Sequence, residues 1–248
     1  SKAAAEAILR LPPSLTAFYL RSLRLEERYP VADAAIKALD QYVKSKVGSS
    51  EYNRIFMEFS WLQIEANKLN QTKRGRERGD ELFRSGEFEL ASAEYASCLK
   101  IDSEGNADNS SNAGGRLHAV LHCNRAACLM ALRRFDDAVQ ECTLALRIHS
   151  RYMKAMWRRG RCYSSLERYE ESIAEYKRWL ELVEDAKRSP DSCAAFMTPC
   201  LFDEPRNVSN KDINQVKAEL EQAQKMKERK ENAAREEASF RHERQTSK

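Results

Sequence analysis

The chain has 248 residues, enough for one or two ordinary domains, but only 8 glycines and 6 prolines, fewer turn-formers than a sheet protein needs at its hairpins. Ala, Leu, Glu, Lys, Arg and Gln dominate and β-branched residues are thin, so an all-α protein is expected. A hydrophobic share of 42% beside 32% charged residues fits an elongated solenoid better than a compact ball, and a net charge of only +4, mixed in sign, argues against nucleic-acid binding by bulk electrostatics.

Cys98, Cys123, Cys128, Cys142, Cys162, Cys193 and Cys200 form no Cys-x-x-Cys pair and no Cys/His cluster with zinc spacing, so they read as small core residues in a reducing compartment and no metal is expected. No apolar run approaches the roughly 18 residues that a membrane span needs, and nothing resembles a cleavable leader. The expected location is the cytoplasm, with the nucleus as a second address. Because the first residue is Ser1 rather than Met, the chain is expected to be a piece of something longer.

In chain order, "AEAILRLPP" reads as the end of a helix, and "SLTAFYLRSLRLEERYPVADAAIKALDQYV" as a helix pair with Ser22, Leu25, Ala34 and Leu39 as its small and large packing positions. Residues 1–71 are therefore expected to be degenerate helical repeats, entered partway through a longer array. "SSEYNRIFMEFSWLQIEANKLNQTK" supplies a helix that can run continuously into the next unit.

Three clearer units follow, over 72–102, 119–150 and 153–186. Asn124/Arg158, Phe135/Tyr169 and Ala138/Ser172 are each 34 residues apart, the period of a helix-turn-helix repeat. Small residues at Gly79, Ala126 and Gly160 let paired helices approach, and Phe88, Tyr95, Tyr169 and Tyr176 fill the space after each turn. "SEGNADNSSNAGG" interrupts the period with a loop, expected over 103–116. "RSPDSCAAFMTPCLFDEPRNVS" gives an irregular insertion over 187–209, whose Phe196, Met197, Leu201 and Phe202 either tack onto the last repeat or touch a partner. Ser209 with Asp212 then caps a new helix, and Ile213, Val216, Leu220 and Ala223 form a stripe that covers the end of the array. From about Met226, "KERKENAAREEASFRHERQTSK" is expected to project into solvent or fray, completing a capping helix and charged tail over 210–248.

These units resemble the tetratricopeptide repeat family, which implies a right-handed superhelix of antiparallel helix pairs with a C-terminal capping helix. The first helix of each pair lines the concave wall, so Asn124 and Arg158 are equivalents and Lys154 shares a helix face with Arg158. An asparagine amide, a lysine and an arginine on one wall offer several donors to a peptide's terminal carboxylate.

Tetratricopeptide co-chaperones carry such a carboxylate clamp for the Glu-Glu-Val-Asp tail of the large heat-shock chaperones. The resemblance places it at Arg76, Asp80, Asn124, Lys154 and Arg158, with Ala127 and Met130 lining a pocket for the valine and Lys73, Trp157 and Arg161 along the wall. Arg76 stands where the family usually has lysine. Asp80 stands where it has asparagine, which removes an amide donor and sets a negative charge near an anionic ligand.

The order of features is similar to that of J-domain co-chaperones with tetratricopeptide repeats. None of His118, His122, His149 and His242 is followed by Pro-Asp, so residues 1–248 are expected to be the recruiting half without the J domain. The organising co-chaperones and the thioredoxin-like plant members share the central motif, and a general scaffold for another peptide is the alternative. No catalytic grouping, cofactor motif or membrane partner is expected, and a monomer is.

Overall fold

In the computed structural model, residues 11–101, 115–188 and 208–246 are described. The expected ends of the array at residues 1–10, most of the 103–116 loop, and the Phe196–Phe202 segment lie outside them. Among the described residues the secondary structure is all helical.

The helices are α1 (Pro13–Leu25), α2 (Tyr29–Ser45), α3 (Tyr52–Glu58), α4 (Leu62–Ser85), α5 (Phe88–Lys100), α6 (Gly115–Ala131), α7 (Phe135–Ile148), α8 (Met153–Ser165), α9 (Tyr169–Arg188) and α10 (Asn210–Thr246). They fall into two compact units. One holds the described residues up to Cys128 with Arg147–His149, and the other holds Leu129–Leu146 with the described residues from Ser150 onward.

In the first unit, α1 begins on Pro13 and α2 has Pro30 as its second residue, and proline has no N–H to leave unsatisfied in a first turn and a φ that already suits a helix. Leu20 and Leu23 of α1 meet Ala32, Ala35 and Leu39 of α2, and Ile55, Phe59, Leu62 and Leu69 complete one buried cluster. Helix α4 is a single rod across residue 72, the expected boundary between degenerate and clear repeats. Its C-terminal half packs on α5, where a second cluster gathers Ala91, Tyr95 and Cys98 with Leu117, Leu121 and Cys128. A β-carbon on Gly79 would lie 2.6 Å from Tyr95 Cε1, so the absence of a side chain is what lets α4 and α5 touch.

One turn geometry joins four helix pairs. A residue one or two positions past each first helix is left-handed: Glu27 (φ 59°), Gly86 (φ 87°), Arg133 (φ 59°) and Glu167 (φ 57°). The following N–H then reaches back to the carbonyl five residues earlier, Arg28 to Leu23, Glu87 to Leu82, Arg134 to Leu129 and Arg168 to Tyr163, at 2.8–2.9 Å. Only one of the four uses glycine, although a left-handed backbone costs other residues about 1–2 kcal/mol.

The expected loop over 103–116 ends earlier than its sequence implies, because α6 already begins at Gly115 rather than near residue 119. Gly115 has φ 55°, and a β-carbon there would sit 2.9 Å from that of Leu25, so a glycine that reads as loop serves as a close approach at a helix start.

In the second unit α8 packs on α9 and α9 on α10. Gly160 repeats the Gly79 arrangement, its would-be β-carbon 2.7 Å from Tyr176 Cε1. Arg159 pairs with Glu175 at 2.6 Å, both largely buried, and also donates to the Thr143 hydroxyl. The Ser209 hydroxyl accepts from the Asp212 N–H at 3.1 Å, and α10 buries Ile213, Val216 and Ala223. Beyond Met226 the helix neither frays nor leaves the unit at once: Lys227 reaches Glu170 and Lys230 reaches Glu167, at 3.0 and 3.1 Å, before α10 continues to Thr246.

Candidate functional site

The sequence-predicted residues divide between the units. Lys73, Arg76, Asp80, Asn124 and Ala127 belong to the first, and Met130, Lys154, Trp157, Arg158 and Arg161 to the second.

In the first unit, helix periodicity sets Lys73, Arg76 and Asp80 on one face of α4, three and four residues apart. Arg76 Nε lies 4.0 Å from Asp80 Oδ2, the pairing that this spacing allows. Sequence reasoning misses the stronger partner: Arg76 Nη1 donates to Glu27 Oε1, from the turn between α1 and α2. The buried Tyr29 hydroxyl lies near the same guanidinium. Burial works against the Arg76 charge, but Glu27, Tyr29 and Asp80 together outweigh it and hold the guanidinium pKa above its ordinary value.

Asp80 has its own partner, the Tyr95 hydroxyl, which donates to Oδ1 at 2.6 Å. Burial first, then the Asp80 carboxylate, pushes the Tyr95 phenol far above its usual range. Lys73 Nζ lies 3.7 Å from Asp33 Oδ2 of α2. Both α4 cations that the sequence offers to a ligand thus have carboxylates from the N-terminal helix pair beside them.

Asn124 and Ala127 lie three residues apart on α6 and are both half-buried, while Ala126 beside them is fully buried. Met130, half-buried, follows on the same helix.

In the second unit, Lys154 and Arg158 are one turn apart on α8, the lysine exposed and the arginine half-buried. They share a face, since side chains four residues apart stack on a helix. Trp157 and Arg161 are drawn to α10. The Trp157 indole donates to Glu219 Oε2 at 2.8 Å, and Arg161 Nε stands 3.9 Å from Glu219 Oε1. Glu219 also lies near the Tyr176 hydroxyl, whose pKa burial raises first and this carboxylate second. The buried Cys162 thiol is pushed up to about 12 by desolvation, with Arg161 and Arg158 acting weakly the other way, so it stays protonated.

Chemically, the Lys154 and Arg158 side chains are of the type that donates to carboxylates, and Arg76 is matched by Glu27 and Asp80. Among the described residues no group of His, Cys, Asp and Glu is placed to hold a metal ion, and no helix is long and apolar enough to cross a membrane.

Residues 154–184, most of α8 and α9, match the tetratricopeptide repeat model. The chain is 33% identical over 115 residues to DnaJ homolog subfamily C member 7 of Homo sapiens, covering 46% of this chain and 22% of that protein. It is 37% identical over 92 residues to the TPR repeat-containing thioredoxin TTL4 of Arabidopsis thaliana, covering 37% of this chain and 12% of that one. The chain therefore spans about a fifth or less of the length of these relatives. Among solved structures, the second TPR domain of human RPAP3, in complex with the HSP70 peptide SGPTIEEVD, is similar over 63% of this chain and 98% of that domain, at 19% identity and a TM-score of 0.44. Helices α8 and α9 therefore carry a tetratricopeptide repeat, and over its central part the chain is similar to these relatives.

Proposed function

We propose that the chain is a protein-interaction module that takes the acidic C-terminal tail of a heat-shock chaperone of the seventy or ninety kilodalton class. In the second unit Lys154 and Arg158 supply donors for the tail's carboxylates, with Trp157 and Arg161 beside them on α8. Asn124, Ala127, Met130 and Lys73 are the further positions that the resemblance assigns to the tail. In a J-domain parent this is the recruiting half, which selects the chaperone that the J domain then stimulates.

The observation that carries the reading is the pair Lys154 and Arg158, one turn apart on the face of a helix that lies within the matched repeat. The likeness to DnaJ homolog subfamily C member 7 over 115 residues supports it. One observation favours the rival reading, a repeat scaffold for a different peptide: Arg76 is held by Glu27 and stands beside Asp80, so this end offers less positive charge than a clamp needs.

Calorimetry with a short peptide ending in Glu-Glu-Val-Asp separates the two. We expect micromolar affinity, about 8 kcal/mol, weakening with salt. Lys154→Glu with Arg158→Ala should abolish it, since two charge-assisted contacts at about 1.5–3 kcal/mol each are lost and one is reversed in sign. Unchanged affinity in that variant refutes the assignment.

A further inference from the structure

The residues around Arg76 contain a feature that a peptide-binding wall does not need. Two cations of α4, Lys73 and Arg76, face three carboxylates, Glu27, Asp33 and Asp80. These five groups sum to a single negative charge. Arg76 is the most enclosed of the cations, its side chain 28% exposed and that of Glu27 16%. A pair shielded to that degree is screened less by salt than the exposed pairs elsewhere on the chain.

Glu27 is placed there at a local cost. Its backbone is left-handed, at φ 59°, where the equivalent turn before α5 uses Gly86. Glycine would suit the backbone better, so the turn itself gives no reason for glutamate. What the glutamate adds is its contact with Arg76, 49 residues further along the chain.

We infer that Glu27 is a resident carboxylate on Arg76 that determines which ligands the α4 wall accepts: an acidic peptide gains Arg76 only by displacing Glu27 from it. The inference rests on the acidic-tail reading and deepens it. While Glu27 is in place, a ligand's carboxylate meets Asp80 and a neutralised guanidinium, so tail affinity is held down. Once it leaves, Arg76 regains the geometry of a bidentate donor toward a free carboxylate. The α1–α2 turn, fixed by the Arg28 N–H to Leu23 carbonyl bond at 2.8 Å, then lies next to the released side chain, so ligand uptake is coupled to that turn.

The test is titration of the full chain with the Glu-Glu-Val-Asp peptide, for the wild type, Glu27→Gln, Arg76→Ala and the double variant. Glu27→Gln should tighten binding about tenfold, the scale of one charge-assisted hydrogen bond gained. Arg76→Ala alone should change affinity less than about twofold, and in the Glu27→Gln background it should erase the gain. Glu27→Gly, which relieves the left-handed backbone, guards against a folding defect and should tighten binding similarly. If the wild type binds and neither Glu27 variant binds more tightly, the inference is overturned while the tail reading stands. If no variant binds, both fall.

Discussion

Replacing Gly160 by alanine tests the packing on which the α8 wall depends. In an ordinary helix interior, Gly→Ala stabilises by about 1 kcal/mol. Here the new methyl carbon would meet three atoms of one ring, Tyr176 Cε1 at 2.7 Å, Cδ1 at 3.1 Å and Cζ at 3.2 Å. The ring is 1% exposed, with Ser164, Ser172 and Glu219 close to its hydroxyl, so it has little room to swing aside. Overpacking of this kind costs about 1–3 kcal/mol. The balance is a net loss of up to about 2 kcal/mol, opposite in sign to the propensity effect.

Urea unfolding followed by the fluorescence of Trp157 and Trp179, which flank the contact, should show the lowered midpoint. Since Arg158 and Arg161 lie on either side of Gly160 on α8, peptide affinity should fall with it. In the preceding repeat the positions equivalent to Gly160 and Tyr176 hold Ala126 and Cys142, a larger and a smaller residue. Adding Tyr176→Cys to Gly160→Ala should therefore cost less than the two single changes summed. A Gly160→Ala protein as stable as the wild type, or more so, refutes the reasoning.

Two other outcomes follow from buried phenols and from a cap. Burial raises the Tyr29 pKa from 10.0 to about 12, and it raises those of Tyr95 and Tyr176 as well. The folded state holds these protons more tightly than the unfolded one, so their stabilisation is complete below about pH 10 and is lost as pH rises through 12. Urea midpoints measured across that window should drop steadily, with the tyrosinate absorbance of these three appearing only as the chain unfolds. Ionisation of all tyrosines near their ordinary pKa with the helices intact would contradict this. Ser209→Ala removes the hydroxyl that accepts from the Asp212 N–H and should cost about 1 kcal/mol, read as faster amide exchange in the first turn of α10. Unaltered exchange there would mean that the cap contributes nothing.

The local code was legible in the sequence because it is periodic. Small residues facing tyrosines sixteen positions on, Gly79 with Tyr95 and Gly160 with Tyr176, announce paired helices. A Ser-x-x-Asp step announces the start of α10. The one-turn spacings of Arg76 with Asp80 and of Lys154 with Arg158 were likewise readable, since a helix fixes which neighbours share a face. What misled was local too: Gly115, in a Ser/Asn/Gly stretch, reads as loop until Leu25 is seen against it.

The tertiary structure alone decided which distant acid a cation meets. Glu27 finds Arg76 across 49 residues, and Glu167 finds Lys230 across 63. With 42 basic and 38 acidic residues on the chain, composition and spacing allow very many such pairs. Coulomb attraction falls off with distance in space and is blind to distance along the chain. The choice among them was therefore made by the turns and close helix contacts that bring particular side chains within a few ångströms.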